Sequence, residues 1–600
     1  MATPVGFRIL AAMAESGDQQ ALFERALALS EAGDHGAALP LLAALSEHAE
    51  ALPELFYFHG RALQETGQTA AAEALYRRAL AAGVALTDLW TRLARLLADR
   101  GAFEDLQALM QEADRAPQEI RADALTALAT AFEMADRPEQ AAQAAERALA
   151  LEPGRPVANL IAGVHAANTG LLAKAERHLK TVIAADPGHL DARHALAATL
   201  ADSGRHEQAE ALFRDLAEEQ PEDARALCRL GGLRLEADDL KGGEALFRQA
   251  VARRPDNVEA AFRLADSLER QGRDADCLAA YDRVFELDPE RPEAHFNVAL
   301  IHLRRGEYAE AWPGYEYRFD CPDGPSRLSP AAPWDGRAFA GHLLVHCEQG
   351  FGDALQFVRY LALARSRVER LTLLSPVSLA ALLATCPGLD AVVTPADELP
   401  DFDLHVPLLS LPGIFATTLD SIPAQVPYLW PPRPAAGKLE QALKAGDGIK
   451  VGLCWSGNAE NPVNRLRTCP VELLAPLAGR FGLNFFGLTL TAPPADLEVL
   501  AETGAFVDLA PHLESFADTA AALAALDLVI STDTSVPHLA GALGCPTWLL
   551  LHNTADWRWQ EERPDSPWYP TMRLFRQTAA GDWLAVAAEL DRALAALEKR

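Results

Sequence analysis

Paired cysteines, long apolar runs and positive charge are all scarce in this chain of 600 residues. The eight cysteines (Cys228, Cys277, Cys321, Cys347, Cys386, Cys454, Cys469 and Cys545) form no C-x-x-C pair and no Cys/His cluster with zinc spacing. Scattered thiols of this kind read as free, buried groups in a reducing compartment, so the expected location is cytoplasmic. No apolar run reaches membrane-spanning length, and no membrane span is expected. The opening stretch MATPVGFRILAAMAESGD carries one Arg and a short apolar segment before acidic residues, which makes a poor secretion signal. Lys and Arg number 54 against 84 Asp and Glu, a formal net charge of -30. Such a chain repels polyanions, which argues against nucleic acid as a partner. Aromatic residues are sparse in the first half, where Ala and Leu dominate as they do in helical proteins. A chain this long exceeds one hydrophobic core, so two or three domains are expected.

What the first half does contain is a period. Pro153, Pro187, Pro221, Pro255 and Pro289 stand 34 residues apart. Small residues recur ahead of them at a fixed offset: Ala129, Gly163, Ala197, Gly231 and Ala265. Gly or Asp recurs at Asp136, Gly170, Gly204, Asp238 and Gly272, and nine positions later come Ala145, Leu179, Phe213, Phe247 and Tyr281. The physical reading is a helix hairpin. Small residues let two helices approach, Gly or Asp supports the turn between them, and Pro ends the second helix. Weaker copies extend the pattern both ways, giving about nine units over residues 20 to 320. Such stacked hairpins form a solenoid with a protein-binding face, and the expected fold of residues 1–320 is an all-α superhelix.

After a Pro- and Gly-rich linker at 321–340 the pattern changes. Short apolar runs alternate with helical stretches, the sign of parallel α/β sheets. HLLVHC (342–347), RLTLLS (370–375), DAVVTP (390–395) and LHVPLL (404–409) predict one set of strands. After the proline-rich break PYLWPPRP come IKVGLCW (449–455), LNFFGL (483–488), AFVDLA (505–510), LDLVIS (526–531) and PTWLLL (546–551). Two Rossmann-like lobes facing a cleft are expected, over 341–430 and 431–600, with ligands outside the carboxyl ends of the strands.

The motifs at those ends are the candidate site. Gly350 and Gly352 allow close backbone approach before a helix, and Asp353 has two readings. It is either a carboxylate that takes a proton from an acceptor hydroxyl or half of a capping box with Gln356. Glu348 and His346 are weaker base candidates. The second motif, Asp533-Thr534-Ser535 followed by His538, ends a strand and opens a helix. Its backbone N–H groups and hydroxyls suit a phosphate, and Asp533 suits sugar hydroxyls. The third, Ser456 and Asn458 followed by Arg465 and Arg467, offers a polar turn and guanidinium groups for a phosphate leaving group. The fourth, Asp556-Trp557-Arg558-Trp559 with Trp568-Tyr569, reads either as a stacking surface or as packing between lobes. Asp401-Phe402-Asp403 is a lone D-x-D match and assigns no metal.

The 34-residue pattern resembles tetratricopeptide (TPR) repeats. The run from Asp533 through His538 to Gly544 resembles the strand-to-helix motif of heptosyltransferase-like (family 9) GT-B glycosyltransferases, and EQGFGDALQ their N-terminal glycine-Asp loop. Together with GEYAEAWPGYEYRF, DWRW and SPWYP, the chain is similar to a bacterial group that fuses TPR arrays to such a domain, in a plan like that of O-linked N-acetylglucosamine transferases. Some bacterial members of this type glycosylate flagellin. The resemblance implies a metal-independent GT-B enzyme needing no cofactor beyond a nucleotide-sugar co-substrate, and a Ser or Thr acceptor on a protein brought by the repeats. It gives Asp353 the role of base and Arg465, Thr534, Ser535 and His538 that of stabilising the departing phosphate. HNTADWRW departs from the short turn of simple heptosyltransferases. Two further readings stay open: an interaction scaffold with an inactive transferase-like domain, and a transferase acting on lipid or glycan.

Overall fold

The computed structural model describes residues 9–10, 13, 17–47, 52–328, 333–461, 463–480 and 482–597. Most of the opening stretch read against a secretion signal, and residues 329–332 of the linker, lie outside the described residues. The chain divides into two compact units, Met1–Ser267 and Leu268–Arg600.

The first unit is all-helical. Among the described residues, seven hairpins run from Gly17–Glu31 paired with His35–Ser46 to Ala224–Glu236 paired with Leu240–Arg253. The repeated residues explain the hairpins. Gly170 and Gly204 take φ of 75°, and Asp136 and Asp238 take 55° and 63°, so the left-handed turn between helices recurs at the position where Gly or Asp recurs. The small residue of the first helix faces the large residue of the second. A Cβ on Gly163 would stand 3.0 Å from Leu179, and one on Gly231 only 2.6 Å from the Phe247 ring. Pro153, Pro187 and Pro221 follow the ends of the second helices at Leu151, Ala185 and Glu219.

The second unit combines the last repeat helices with two parallel sheets. Strands β1 (Phe339–His346), β2 (Val368–Leu374), β3 (Ala391–Val393) and β4 (Leu404–Pro407) form one sheet, in the order β3-β2-β1-β4. The other contains β5 (Ile449–Cys454), β6 (Leu483–Gly487), β7 (Phe506–Asp508), β8 (Leu528–Thr532), β9 (Thr547–Leu551) and β10 (Met572–Arg576), in the order β10-β9-β8-β5-β6-β7. All these strand pairs are parallel. This is the doubly wound order, with the direction of winding reversing between β5 and β8. Strand β10, MRLFR, is not anticipated from the sequence, because its five residues carry charges at both alternate and terminal positions.

The repeat pattern runs on to residue 320, yet the compact units divide at residue 267. The reason is an aromatic cluster. Tyr308, Trp312 and Tyr315 of the helix Tyr308–Tyr315 meet Trp557 and Trp568 of the α/β region, with ring centroids 6.0 Å apart for Tyr308–Trp568 and 6.1 Å for Trp312–Trp557. The indole N–H of Trp312 donates to the Thr417 carbonyl at 2.8 Å, and that of Trp568 to the Tyr308 hydroxyl at 3.2 Å. Beside it the buried Arg318 guanidinium reaches Glu316 at 2.7 Å, Ser410 at 2.8 Å and Glu348 at 3.1 Å. Removal of residues 1–267 should therefore leave a soluble, cooperatively melting unit, whereas removal of 1–320 should leave protein that aggregates on expression. Trp568→Ala should cost about 3–5 kcal/mol in a denaturant melt.

Candidate functional site

The four motifs converge on one cleft of about 810 Å³ in the second unit. Two short helices make its centre. Phe351–Phe357 follows β1 after a loop, and Ser535–Ala542 follows β8 directly. They touch because position 352 has no side chain: a Cβ there would lie 2.9 Å from the His538 ring. Between the lobes the buried Arg359 donates to the Gln356 carbonyl and the Tyr428 hydroxyl, both at 2.8 Å, and to the Trp568 carbonyl at 2.5 Å.

Asp353 lines the cleft, and it does cap a helix, but with Gly350 at the N-cap and itself three places on rather than with Gln356, whose side-chain amide is buried without a hydrogen-bond partner. Its carboxylate accepts the Gly350 N–H at 3.0 Å, closing the cap of its helix, and it also pairs with Arg558. The side chain keeps 20% exposure. Burial raises its pKa above the usual carboxylate value, against the pull of Arg558. Arg558 itself is buried and also donates to Asp556 at 2.8 Å. Burial works against the Asp556 charge too, but Arg558 outweighs it and holds that carboxyl below its usual range. The arginine joining the two carboxylates is not singled out by the sequence, where the DWRW run reads by its aromatic rings alone. The available signal is an arginine two places after an Asp in that run. Glu348 and His346 do not line the cleft. Glu348 accepts the Leu408 and Leu409 N–H groups at 3.1 and 3.2 Å besides pairing with Arg318.

At the β5/β8 switch point the polar wall takes shape. Thr534 caps its helix, its hydroxyl accepting the Val536 N–H at 3.3 Å, and Ser535 opens that helix. Ser456, Gly457 and Asn464 are tied together: Asn464 donates to the Ser456 hydroxyl at 3.2 Å and accepts the Gly457 N–H at 2.9 Å. Asn458 lines the cleft while its side chain accepts the Glu460 N–H at 3.1 Å. Arg467 enters the cleft beside Asp533, its Nη2 3.8 Å from the carboxylate and its Nη1 donating to the Asp533 carbonyl at 3.3 Å. Arg465 is exposed and is not part of the lining. The Asp533 Oδ2 is buried without a hydrogen-bond partner, and burial raises the acid to about 6. His538 is buried against Trp559, ring centroids 5.1 Å apart, with Nδ1 3.0 Å from the Tyr569 hydroxyl. Burial, helped by Arg558, depresses its pKa to about 3, so at neutral pH it offers a hydrogen bond and no charge. Asp403 accepts the His342 N–H at 2.7 Å, and the Asp401 carbonyl lies 2.7 Å from the His342 Nδ1, so the D-x-D run braces β1.

Fold and site together define a helical-repeat protein joined to a two-sheet α/β domain with a polar cleft at its strand ends. Tetratricopeptide repeat models match residues 166–228 and 234–295, and a second such model matches 126–189 and 275–325. The chain therefore contains tetratricopeptide repeats. It is similar to Protein FlbA of Caulobacter vibrioides, 28% identical in an alignment of 344 residues that covers 52% of this chain and 56% of that protein. The match thus spans little more than half the length of that curated relative. Similar solved structures include a thermophilic TPR protein of Thermus thermophilus, at 23% identity over 30% of this chain and 99% of that chain, TM-score 0.28. Another is MamA of Desulfovibrio magneticus, at 20% identity over 28% of this chain and 96% of that chain, TM-score 0.25. Among the described residues no helix is long and apolar enough to cross a membrane.

Arg558→Leu should leave Asp353 and Asp556 facing each other without their cation and lower stability by about 3 kcal/mol in a denaturant melt. Asp353→Asn in the same chain should recover part of the loss, because it removes one of the two orphaned charges. Acid should also act on three buried histidines. His346 and His552 are held to about 4 and His538 to about 3, each chiefly by burial. From pH 6.5 downward the unfolded chain takes up protons that these folded histidines refuse, so their contribution to the melting temperature falls towards pH 4, while Glu348, raised to about 7, and Asp533, raised to about 6, take up protons in the folded chain and offset part of that fall. His346→Gln and His552→Gln should flatten that fall.

Proposed function

We propose that the protein is a glycosyltransferase of GT-B type, moving a sugar from a nucleotide-activated donor to a Ser or Thr hydroxyl of a protein held by the repeats. The observation that carries the reading is the meeting of two motifs on one cleft: the glycine-Asp loop after β1 and the Asp533–His538 segment after β8. Doubly wound sheets bind nucleotides at the switch point, and the hydroxyls of Thr534 and Ser535, with Arg467 beside them, suit the phosphate of such a donor. The opened first turn of the helix Ser535–Ala542 faces the same space. Asp353 is the base in this reading. To accept a proton it loosens its hold on Arg558, which then remains paired with Asp556 and close to the developing negative charge. The tetratricopeptide repeats support recruitment of a protein partner. Flagellin is the acceptor proposed, on the resemblance to TPR-fused enzymes that modify it.

Calorimetry of the chain with a panel of nucleotide-sugars, followed by intact-mass measurement of flagellin from cells with and without the gene, tests the reading. Binding of one donor and a mass step that depends on the gene are expected; a chain that binds no donor ends it. A second reading, an interaction scaffold, is favoured by one observation: Asp353 is engaged twice, by Gly350 and by Arg558. Under that reading Asp353→Asn leaves the cellular phenotype intact, whereas under the transferase reading it removes the mass step.

A further inference from the structure

We propose that the repeat helix Pro292–Arg305 is the acceptor-selecting wall of the cleft, and that it favours a protein segment carrying an apolar side chain beside the modified hydroxyl. The proposal rests on the transferase reading above and names its substrate more closely.

The cleft has two unlike walls. One is the polar face of Ser456, Asn464, Arg467 and Thr534 at the β5/β8 switch point, suited to a phosphate and hydroxyls. The other comes from the last repeats. Phe296 and Leu300 stand four residues apart, on one face of the helix Pro292–Arg305, and both line the cleft. Both are only half-buried. Phe296 rests on Tyr315, ring centroids 5.5 Å apart, so the ring is held in place. Asp353, on the helix Phe351–Phe357, lines the same space.

Two further observations bear on this wall, which Glu269 and Arg304 also line. Arg304, one turn beyond Leu300, is occupied by Asp274 and Glu561, each at 2.7 Å, so it offers an incoming acidic segment little net charge. The repeat itself does not require a large residue at position 300. At the equivalent positions 34 and 68 residues earlier stand Asp266 and Gly232. Further back in the same phase stand Ala198 and Val164, so the repeat does not hold this position to one residue type. Half-exposed apolar surface in a cleft recovers free energy when a ligand's apolar side chain covers it. A nucleotide-sugar offers only the face of its base, and the reading above places its phosphate at the opposite, polar wall, whereas a polypeptide carries an apolar side chain next to its hydroxyl.

The test uses the full chain with a nucleotide-sugar that it binds and a library of nine-residue peptides. Each peptide has a central Ser or Thr and randomised flanks, and transfer is read by mass spectrometry. The wild type should enrich Leu, Ile, Met or Phe at one flanking position by roughly tenfold. Leu300→Lys should lose that enrichment and turn it towards Asp and Glu; Leu300→Gln should lose it without the turn; Phe296→Leu should keep it. Circular dichroism melts check that each variant is folded. Transfer without a flank preference, or a preference unaltered in Leu300→Lys, overturns this proposal and leaves the transferase reading standing. Failure of the wild type to transfer from any donor that it binds to any peptide overturns this proposal as well, and failure to bind any donor ends both.

Discussion

The second unit depends on burying Tyr308, Trp312, Trp557 and Trp568 against one another. Each ring removes a large apolar area from water, and their edge-on contacts add to that gain. The consequence is architectural. A helix that follows the repeat grammar becomes part of the α/β core, so the last repeats are walls of the cleft as well as members of the array. The segment that supplies Trp557 also supplies Arg558, so the same contact that closes the core sets the charge around Asp353.

Charge in and around the cleft is arranged by pairing. Arg558 stands between Asp353 and Asp556, Arg467 beside Asp533, and Arg318 between Glu316 and Glu348. Buried ion pairs of this kind add little to stability over a well-packed apolar core, but breaking one is expensive. They therefore act to hold geometry. His538, neutral and packed on Trp559, belongs to the same scheme: it fills the contact between the two central helices and leaves the cationic role to the arginines.

Legibility differs by element. The hairpins are readable from Pro153 to Pro289 and from the Gly or Asp turn, because one backbone requirement repeats at one spacing. The left-handed φ of Asp136 and Asp238 is that requirement, visible in the residue type. The strands β1 to β9 are visible as short apolar runs; β10 is not, since its arginines mask a strand that is apolar at Leu574 and Phe575. In the site, the two loops at β1 and β8 are legible, while the Arg558–Asp353 pair is not. The pair joins residues 205 positions apart, and no local pattern encodes that. Arg465 and Arg467 are equivalent in sequence, but only Arg467 turns into the cleft.

By itself the sequence determined the repeat period, the two kinds of secondary structure and the loops at the strand ends, because each follows from spacing, backbone preference and apolar patterning over a few residues. The tertiary structure alone decided where the compact unit begins, which arginine faces the cleft, and what partners Asp353 has. Those depend on the packing of distant aromatic rings and on which charges are buried together. Local pattern carries no record of either.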